Sequence, residues 1–447
     1  MKPLHVLLLV VWPSAFAQSE DPALLDLARQ HVEIAEGTRD DTMLWGRIGG
    51  SAAERASAEL LRDQLRPYLA GTILEPVEFN AYRPRRWEVK FSDGAALESA
   101  MPAPFDAWMP GAAAAPVVRV EAGGDWANAK GAWAFLESKS DGSAARTDVR
   151  AGNLYQKAVA AGAVGFIFSL PTPAGRWRSV VPVDKAFAVP DELYPDHRRP
   201  IPCFSIDSEE GMRVRAASES SATISAHIEF EAGRTQKGFN TVGELPGTGD
   251  DSVLIGCHLD SFFTGANDDA SGIAVMIGMV RELVRMEKEQ RLANFIFVGL
   301  SAHHDEGAGM RDFETHDVAR MARIKTAILL EHLDMQTGDG PAIGPGDLPL
   351  INRRTAFLGH AGWPGIEAEL PKLAMETGLM TAPPAVAHEC IADLFVICER
   401  VQPFCLMAAP PYYHTDHDTM DKLSEAGLER AVEFHLRLLE TAEYIRR

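Results

Sequence analysis

Apolar residues recur in two different patterns along the first half of the chain. After residue 18, and again over 52–69, they repeat at helical spacing, which predicts two helices. Over 89–230 the pattern changes to short apolar runs separated by glycines and prolines, with one small-residue helix at 155–162 that leads into a strand at 164–168. The first half is therefore predicted to contain a helical segment followed by a separate, strand-rich unit.

From about Asn240 onward, strands and helices alternate with longer periods. Unbroken apolar runs predict buried strands, and these runs cover 253–257, 295–300, 327–330 and 404–407. Apolar residues at helical spacing follow the first run, from Ile273 to Val284, and return in the segment from Glu425. Such alternation is typical of an α/β fold: a mostly parallel, mixed and twisted sheet with helices on both faces.

The first residues have the pattern of a signal peptide. Met1-Lys2 precedes an apolar run at 7–12, and Ala15-Phe16-Ala17 provides small residues for cleavage, so residues 1–17 are predicted to be removed on export. The apolar run is much shorter than the roughly 20 residues of a membrane span. We therefore expect a periplasmic or secreted protein without a membrane anchor.

The net charge argues against two classes of partner, and the cysteine content argues against one kind of zinc site. The formal net charge of −20 over 447 residues makes nucleic acid and anionic membranes poor partners. No Cys-x-x-Cys pair exists, so a thiolate zinc knuckle is excluded, whereas one disulfide among Cys390, Cys398 and Cys405 is compatible with an oxidising compartment. The sequence does not determine the oligomeric state.

The residue pattern at the ends of the predicted strands is the main functional signal. In parallel sheets, ligand sites form beyond the carboxyl ends of the strands. The run 253–257 is followed by His258 and Asp260, and then by a glycine-bounded loop that contains Asp268 and opens a helix. A histidine with nearby carboxylates is a reasonable start for a metal site, although the motif alone is weak.

Two further strand ends carry the same residue types. His332 and Asp334 follow the run 327–330, and His414 follows the run 404–407 after a short Pro-Pro-Tyr-Tyr connection. Because buried carboxylates without partners are costly, three such strand ends are poorly explained by core packing. Together they predict a metal centre built from histidine and carboxylate.

These motifs resemble those of a known family. The segments "GCHLDS", "GANDDASG", "LDM" and "YYHTDHDT" are similar, in this order, to the signatures of M28-family zinc metallopeptidases, over roughly 240–447. Upstream, "YQKAVAAGAVGFIF" and "IPCFSIDSEEG" resemble the protease-associated domain often inserted in these enzymes. The resemblance implies a zinc-exopeptidase-like fold divided into a signal peptide (1–17), an N-terminal helical part (18–88), a β-rich inserted domain (89–232) and the catalytic domain (233–447).

The resemblance also implies roles for individual residues. His258 and Asp334 would bind one zinc ion, His414 the other, and Asp268 would bridge the two. Asp260 would orient His258, and Tyr413 matches a tyrosine that hydrogen-bonds the developing oxyanion in some members.

One segment departs from the family pattern. Active members carry two adjacent glutamates after the strand 295–300, the first a general base and the second a zinc ligand. Without a gap, the alignment places His303 at the base position and His304 at the ligand position; a two-residue slip places Asp305 and Glu306 there instead. The ungapped form keeps the spacing to Gly309, while the reading of both histidines as surface residues also stays open.

The leading functional hypothesis is an exported aminopeptidase that hydrolyses peptide substrates with two zinc ions, or with one. A catalytically impaired homologue that serves as a binding protein is the competing hypothesis, because the glutamate pair is replaced. Hydrolysis or cyclisation of another amide is a third, since one fold hosts several reactions. In the acidic loop before the last strand, Glu389 or Asp393 is a candidate contact for a substrate amine.

Overall fold

The computed structural model describes residues 21–40, 44–137, 153–181, 195–220, 222–333, 354–380, 383–408 and 412–447. The predicted signal peptide and Asp334 lie outside the described residues. Among the helices of the described part, none combines the length and the apolar composition needed to cross a bilayer.

Eight strands form the larger of two sheets, in the order β1-β9-β11-β10-β12-β15-β13-β14. The strand bounds are β1 Ile73–Asn80, β9 Thr235–Leu245, β10 Ser252–His258, β11 Asn294–Leu300, β12 Ile324–Leu329, β13 Thr355–Leu358, β14 Ala385–His388 and β15 Gln402–Met407. The central strands β11, β10, β12 and β15 run parallel, whereas β9 and β13 pair antiparallel with β11 and β15. The predicted mixed, mostly parallel sheet is confirmed.

Helices cover both faces of the larger sheet, as predicted. One apolar core contains residues of α1 Leu24–Glu36, α2 Ala52–Leu65, α5 Ser271–Arg285, α8 Ile366–Glu376 and α10 Glu425–Thr441. A second core, on the other face, contains residues of α6 Ala308–His316, α7 Val318–Arg323 and α9 Leu394–Ile397. Every residue of β10 is buried, which explains its unbroken apolar sequence.

Seven strands form the smaller sheet, in the order β2-β8-β4-β5-β6-β7-β3. Its strands are β2 Pro84–Phe91, β3 Met101–Pro102, β4 Ala112–Val120, β5 Trp133–Glu137, β6 Gly165–Ser169, β7 Cys203–Ile206 and β8 Thr223–Phe230, and its helices are α3 Asn153–Ala160 and α4 Ser208–Glu219. The strands β4, β5, β6 and β7 run parallel. Two apolar clusters of its own fill the space around this sheet.

The smaller sheet is inserted between two neighbouring strands of the larger one. β1 pairs antiparallel with β9 along its full length, and the whole smaller sheet lies between these strands in sequence. The chain leaves the larger sheet after Asn80 and returns at Thr235. We call the unit from β2 to β8 the inserted domain; its assignment to the protease-associated kind, and the boundaries at 89 and 232, remain predictions.

Candidate metal centre

Four histidines meet at the carboxyl ends of adjacent parallel strands. His258 ends β10, His304 follows β11, His332 follows β12 and His414 follows β15. All four are buried, with at most 4 % of their surface exposed. The strand order thus brings together residues that are up to 156 positions apart in the chain.

The four imidazoles face the two oxygens of one carboxylate, that of Asp268. His258 Nε2 lies 2.9 Å and His332 Nε2 lies 3.2 Å from Asp268 Oδ1. On the other side, His414 Nε2 lies 3.1 Å and His304 Nε2 lies 3.7 Å from Asp268 Oδ2. The centre therefore has two halves, which we call the His258–His332 half and the His304–His414 half.

Hydrogen bonds on the opposite ring nitrogens fix the orientation of three of these histidines. His258 Nδ1 donates to the Asp260 carbonyl at 2.9 Å, and His332 Nδ1 donates to the Ala408 carbonyl at 2.6 Å. His304 Nδ1 lies 2.7 Å from Asp260 Oδ2. A proton held on Nδ1 leaves the lone pair of Nε2 for a metal, which is the usual arrangement of histidine ligands.

Asp268 is held in place by the loop that opens α5. The main-chain N–H groups of Asn267 and Asp268 donate to the Asp418 carboxylate at 2.8 and 3.0 Å. Asp269 accepts from Gly272 N–H at the start of the helix, at 3.1 Å, and from His258 N–H at 3.0 Å. This loop therefore fixes the Asp268 carboxylate relative to the β10 histidine.

The charges of the centre support one another. Burial alone would raise the pKa of Asp268, but the surrounding histidines, His332 first, hold it well below its usual value. Burial likewise opposes the charge on His258, yet Asp269, Asp260 and Asp268 raise its pKa. Asp268 is thus ionised over the physiological range and supplies a negative charge at the point where the four imidazoles converge.

The donor atoms present fit a metal such as zinc. Among the described residues, His258 Nε2 and Asp268 Oδ1 are buried without a hydrogen-bond partner of suitable geometry, although they lie 2.9 Å apart. The ligand atoms of Asp268, His304 and His414 also lie within 4.8 Å of one another. Imidazole nitrogen with carboxylate oxygen is a donor set that zinc prefers in proteins.

His303 lies beside the centre and does not contact Asp268. Its ring stacks on that of His258 at 4.2 Å between centroids, and its Nδ1 lies 2.9 Å from Asp393 Oδ2. The ligand atoms of His303, Asp393 and the buried Glu331 lie within 4.8 Å of one another. Burial lowers the pKa of His303, but the charge of Asp393 outweighs this effect and the pKa is raised to about 9.

The alternative residues from the two-residue slip occupy other positions. Asp305 Oδ2 accepts a hydrogen bond from Arg83 Nη2 at 2.8 Å. Glu306 is half-buried in a left-handed turn, at φ 58°. Neither carboxylate belongs to a group of converging ligand atoms in the described part of the chain.

Two other predicted residues are close to the centre. The carboxylate of Asp260 lies nearer to His304 (2.7 Å) than to His258 Nδ1 (3.5 Å), and it also accepts the main-chain N–H groups of both His303 and His304. The ring of Tyr413 packs on His332 and His414 at 4.7 and 3.6 Å. The loop residue Glu389 is exposed.

The sequence pattern predicts no role for two residues near the centre: His332, whose Nε2 faces Asp268, and Glu331, which lies beside His303. His332 was part of the strand-end pattern, but the resemblance pointed to Asp334 instead. Glu331 and His332 lie two and three positions after the end of β12, so the polar residues at that strand end are the signal that points to them.

A disulfide joins Cys390 to Cys398 and closes a short loop that contains Asp393. Cys405 is a buried free thiol in β15. The partner of His303 is therefore carried by a covalently closed loop.

Comparison with known proteins agrees with this fold. Residues 240–439 match the model of peptidase family M28. A zinc aminopeptidase from Bacillus subtilis has a similar structure (TM-score 0.64, 18 % identity), with 95 % of this chain and 96 % of that chain covered.

Two further solved structures are similar over nearly their whole length. A peptidase M28 precursor from Shewanella amazonensis has a TM-score of 0.65 at 16 % identity, covering 94 % of this chain and 95 % of that chain. An aminopeptidase from Aneurinibacillus sp. strain AM-1 has a TM-score of 0.56 at 17 % identity, covering 94 % and 93 %. At these identities the likeness establishes the fold. No curated protein matches the chain significantly by sequence.

Proposed function

We propose, from the premise that residues 240–439 match the model of peptidase family M28, that the chain is an exported, zinc-dependent hydrolase that removes amino-terminal residues from peptides. The observation that carries the proposal is the pairing of each Asp268 oxygen with two imidazole Nε2 atoms, at 2.9 and 3.2 Å on one side and at 3.1 and 3.7 Å on the other. A bridging carboxylate with nitrogen donors on both sides is suited to two metal ions.

Zinc bound there would supply Lewis acidity toward a water molecule and a peptide carbonyl. The chain's own residues supply orientation. Asp260 and the carbonyl of Ala408 hold the rings of His304 and His332 through their Nδ1 atoms. Asp418 holds the Asp268 loop, so the protein's own hydrogen bonds set the position of the Asp268 carboxylate.

His303 is the residue that we assign to proton transfer. Asp393 holds its Nδ1, which leaves Nε2 to exchange protons, and a pKa of about 9 means that the ring carries a proton near neutral pH. His303 gives that proton to the amide nitrogen as the C–N bond breaks. It regains one from the water whose oxygen forms the new bond to the carbonyl carbon, so atoms and charge balance.

One observation favours a second function. The His303–Asp393 ion pair occupies the place where the family resemblance expects a carboxylate base. A cation there suits a scaffold that binds peptides without turnover, or a hydrolase or cyclase that acts on another amide.

Metal analysis combined with product analysis separates these functions. We expect the purified protein to contain two zinc ions that a chelator removes, and to cleave aminoacyl chromogens with free but not with blocked amino termini. His304→Ala should lose zinc, whereas Glu306→Ala and the surface control His316→Ala should keep it. A protein that binds no zinc and cleaves none of the chromogens contradicts the proposal, and a product formed only from blocked termini favours the other amide chemistry.

The exported location is supported by two features. Residues 1–17 have the sequence pattern of a signal peptide, and the Cys390–Cys398 disulfide is of the kind that persists in oxidising compartments. Amino-terminal sequencing of protein recovered from the periplasm or medium should begin at Gln18; a start at Met1 would contradict export with cleavage.

A further inference from the structure

The inserted domain contacts the segment that carries His414. Val180, in the inserted domain, donates its N–H to the His414 carbonyl at 2.9 Å. The neighbouring Ser179 forms a β-bridge with Thr415. The main chain on which this histidine is mounted is therefore partly ordered by the other domain.

Two side chains extend this contact. The Trp177 indole stacks on the His417 ring at 3.7 Å between centroids and 12° between planes. Asp416 accepts from the Arg178 N–H at 3.0 Å and donates its own N–H to the Arg178 carbonyl at 3.2 Å. The four residues Trp177 to Val180, which we call the clamp segment, are all buried.

A second contact is made next to His304. Arg83, just before the first strand of the inserted domain, donates to the Asp305 carboxylate at 2.8 Å, and both side chains are buried. The Arg83 carbonyl also accepts the Glu231 N–H at 2.8 Å, where the chain leaves the inserted domain. Asp305 is thus tied to the junction of the two domains.

An apolar cluster shared by both domains supports the same two histidines. Met101, Phe105 and Val180 pack there with Phe262 of the larger domain. The Phe262 ring lies 4.2 Å from the His304 ring and 5.1 Å from the His414 ring, measured between centroids. Displacement of the inserted domain would therefore expose the surface against which both rings rest.

The other half of the centre is supported differently. Among the described residues, the hydrogen bonds and ring contacts of His258 and His332 come from the larger domain alone, namely from Asp260, Asp268, Asp269, His303, His304, Ala408 and Tyr413. None of these hydrogen bonds and ring contacts of the His258–His332 half comes from the inserted domain.

We propose that the inserted domain acts as a positioning element for the His304–His414 half, so that this half binds its metal only while the clamp segment and the Arg83–Asp305 pair are in place. The inference rests on the proposed function, because it concerns the two metal positions inferred there. It implies two zinc sites of unequal affinity, of which the one at His304 and His414 depends on the domain interface.

Zinc titration of interface variants tests this inference. In calorimetric titrations of metal-free protein, Trp177→Ala and Arg83→Gln should each weaken one zinc site at least tenfold and leave the other within twofold of the wild type. Trp177→Phe, which keeps a ring able to stack on His417, should restore most of the lost affinity. Arg320→Gln is the matched control, because it breaks an equally buried pair, with Glu75 at 2.7 Å, between α7 and β1.

Urea unfolding and cobalt substitution show whether a variant is folded and which half has changed. A variant that still unfolds in a cooperative transition is folded, even if its stability is lower than that of the wild type. If such a variant also loses one of the two cobalt absorption components, the result supports the inference. The inference is overturned if the variants bind both zinc ions with wild-type affinity, if both sites weaken equally, or if the wild type has only one site. If the wild type binds no zinc, the proposed function is contradicted as well. Failure of the proposed function can therefore be distinguished from failure of this inference.

Discussion

The two sheets of this protein both contain parallel strands, but they use the polar residues at the strand ends differently. In the inserted domain, Glu137 at the end of β5 pairs with Arg119 and Arg215, each at 3.1 Å, and Asp207 after β7 accepts the Glu210 N–H at 2.8 Å and so caps α4. These groups are used for local structure.

At the strand ends of the larger sheet, by contrast, some polar side-chain atoms are not used for local structure. His258, His304 and His332 use Nδ1 for a hydrogen bond and direct Nε2 toward Asp268. Parallel strand ends thus provide a place for a site, whereas the chemistry requires polar atoms that local structure leaves unused.

The largest effect is expected for the bridging carboxylate. Asp268→Asn removes the negative charge that faces four imidazoles and should abolish binding of both zinc ions and lower kcat/KM by more than about 10³-fold, since metal and turnover depend on the same group. Zinc content and steady-state kinetics measure this. Glu137→Gln, the same change at a strand end of the inserted domain, should leave both unchanged; retention of two zinc ions in Asp268→Asn would contradict the bridging role.

His332→Ala should weaken one zinc site by about 100-fold or more, because it removes a nitrogen donor 3.2 Å from Asp268. Competition with a chelating dye gives the affinity. His388→Ala, on an exposed strand end of the larger sheet, is the control and should have no effect. Unchanged affinity in His332→Ala would mean that this histidine does not ligate the metal, and would leave Asp334 as the candidate.

A smaller effect is expected for Asp393→Asn, which keeps the shape of the side chain but loses the charge that holds His303. Because Asp393 orients the ring without binding metal, kcat should fall by about 10- to 100-fold while the zinc content stays at the wild-type level. The raised pKa of His303 should also fall in this variant. Where the pH dependence of kcat follows the titration of His303, that transition should move to lower pH. Loss of zinc in this variant would assign Asp393 to the metal centre instead.

The pKa of His31, a buried histidine in α1 and away from the strand ends, is shifted in the opposite direction to that of His303. Burial, followed by the charge of Arg47, lowers the pKa of His31 from 6.5 to about 3. Below pH 6.5 the unfolded chain binds a proton that the folded chain excludes, so stability is complete above pH 6.5 and falls by about 1.4 kcal/mol per pH unit below it.

His31→Gln should remove this contribution. Between pH 7.5 and 5.5 the free energy of unfolding of the wild type should fall by about 1.4 kcal/mol more than that of the variant, as measured by urea titration at both values. The exposed His316→Gln should follow the wild type. An identical fall in His31→Gln would mean that this histidine does not titrate with a lowered pKa.

The large sheet and much of its site followed from sequence, because buried parallel strands are continuous apolar runs and the residue after each run lies at one edge. The sequence pattern did not predict the strand β1, which contains Pro76. In the structure Pro76 lies inside β1 and pairs with Phe239 at the edge of the sheet, where a missing N–H is tolerated. Pairing of β1 with β9 joins segments separated by the whole inserted domain, and no local pattern indicates it.

The role of His332 depends on backbone geometry that the sequence does not encode locally. His332 and His414 have φ values of 51° and 59°, in the left-handed region that residues other than glycine seldom adopt. The alternation of side chains along a strand therefore does not predict the direction in which these two rings point. Such conformations cluster at functional sites because surrounding contacts impose them, here the Ala408 carbonyl on His332 and Val180 on His414.

The Cys390–Cys398 loop has a practical meaning for how the protein matures. None of the four histidines around Asp268 lies in this loop, whereas Asp393 does. Protein made in a reducing cytosol is thus expected to acquire zinc before the partner of His303 is fixed, and its turnover should rise on oxidation without a change in metal content. The zinc content of a sample would then report folding of the larger sheet, and its turnover rate would report formation of the Cys390–Cys398 disulfide.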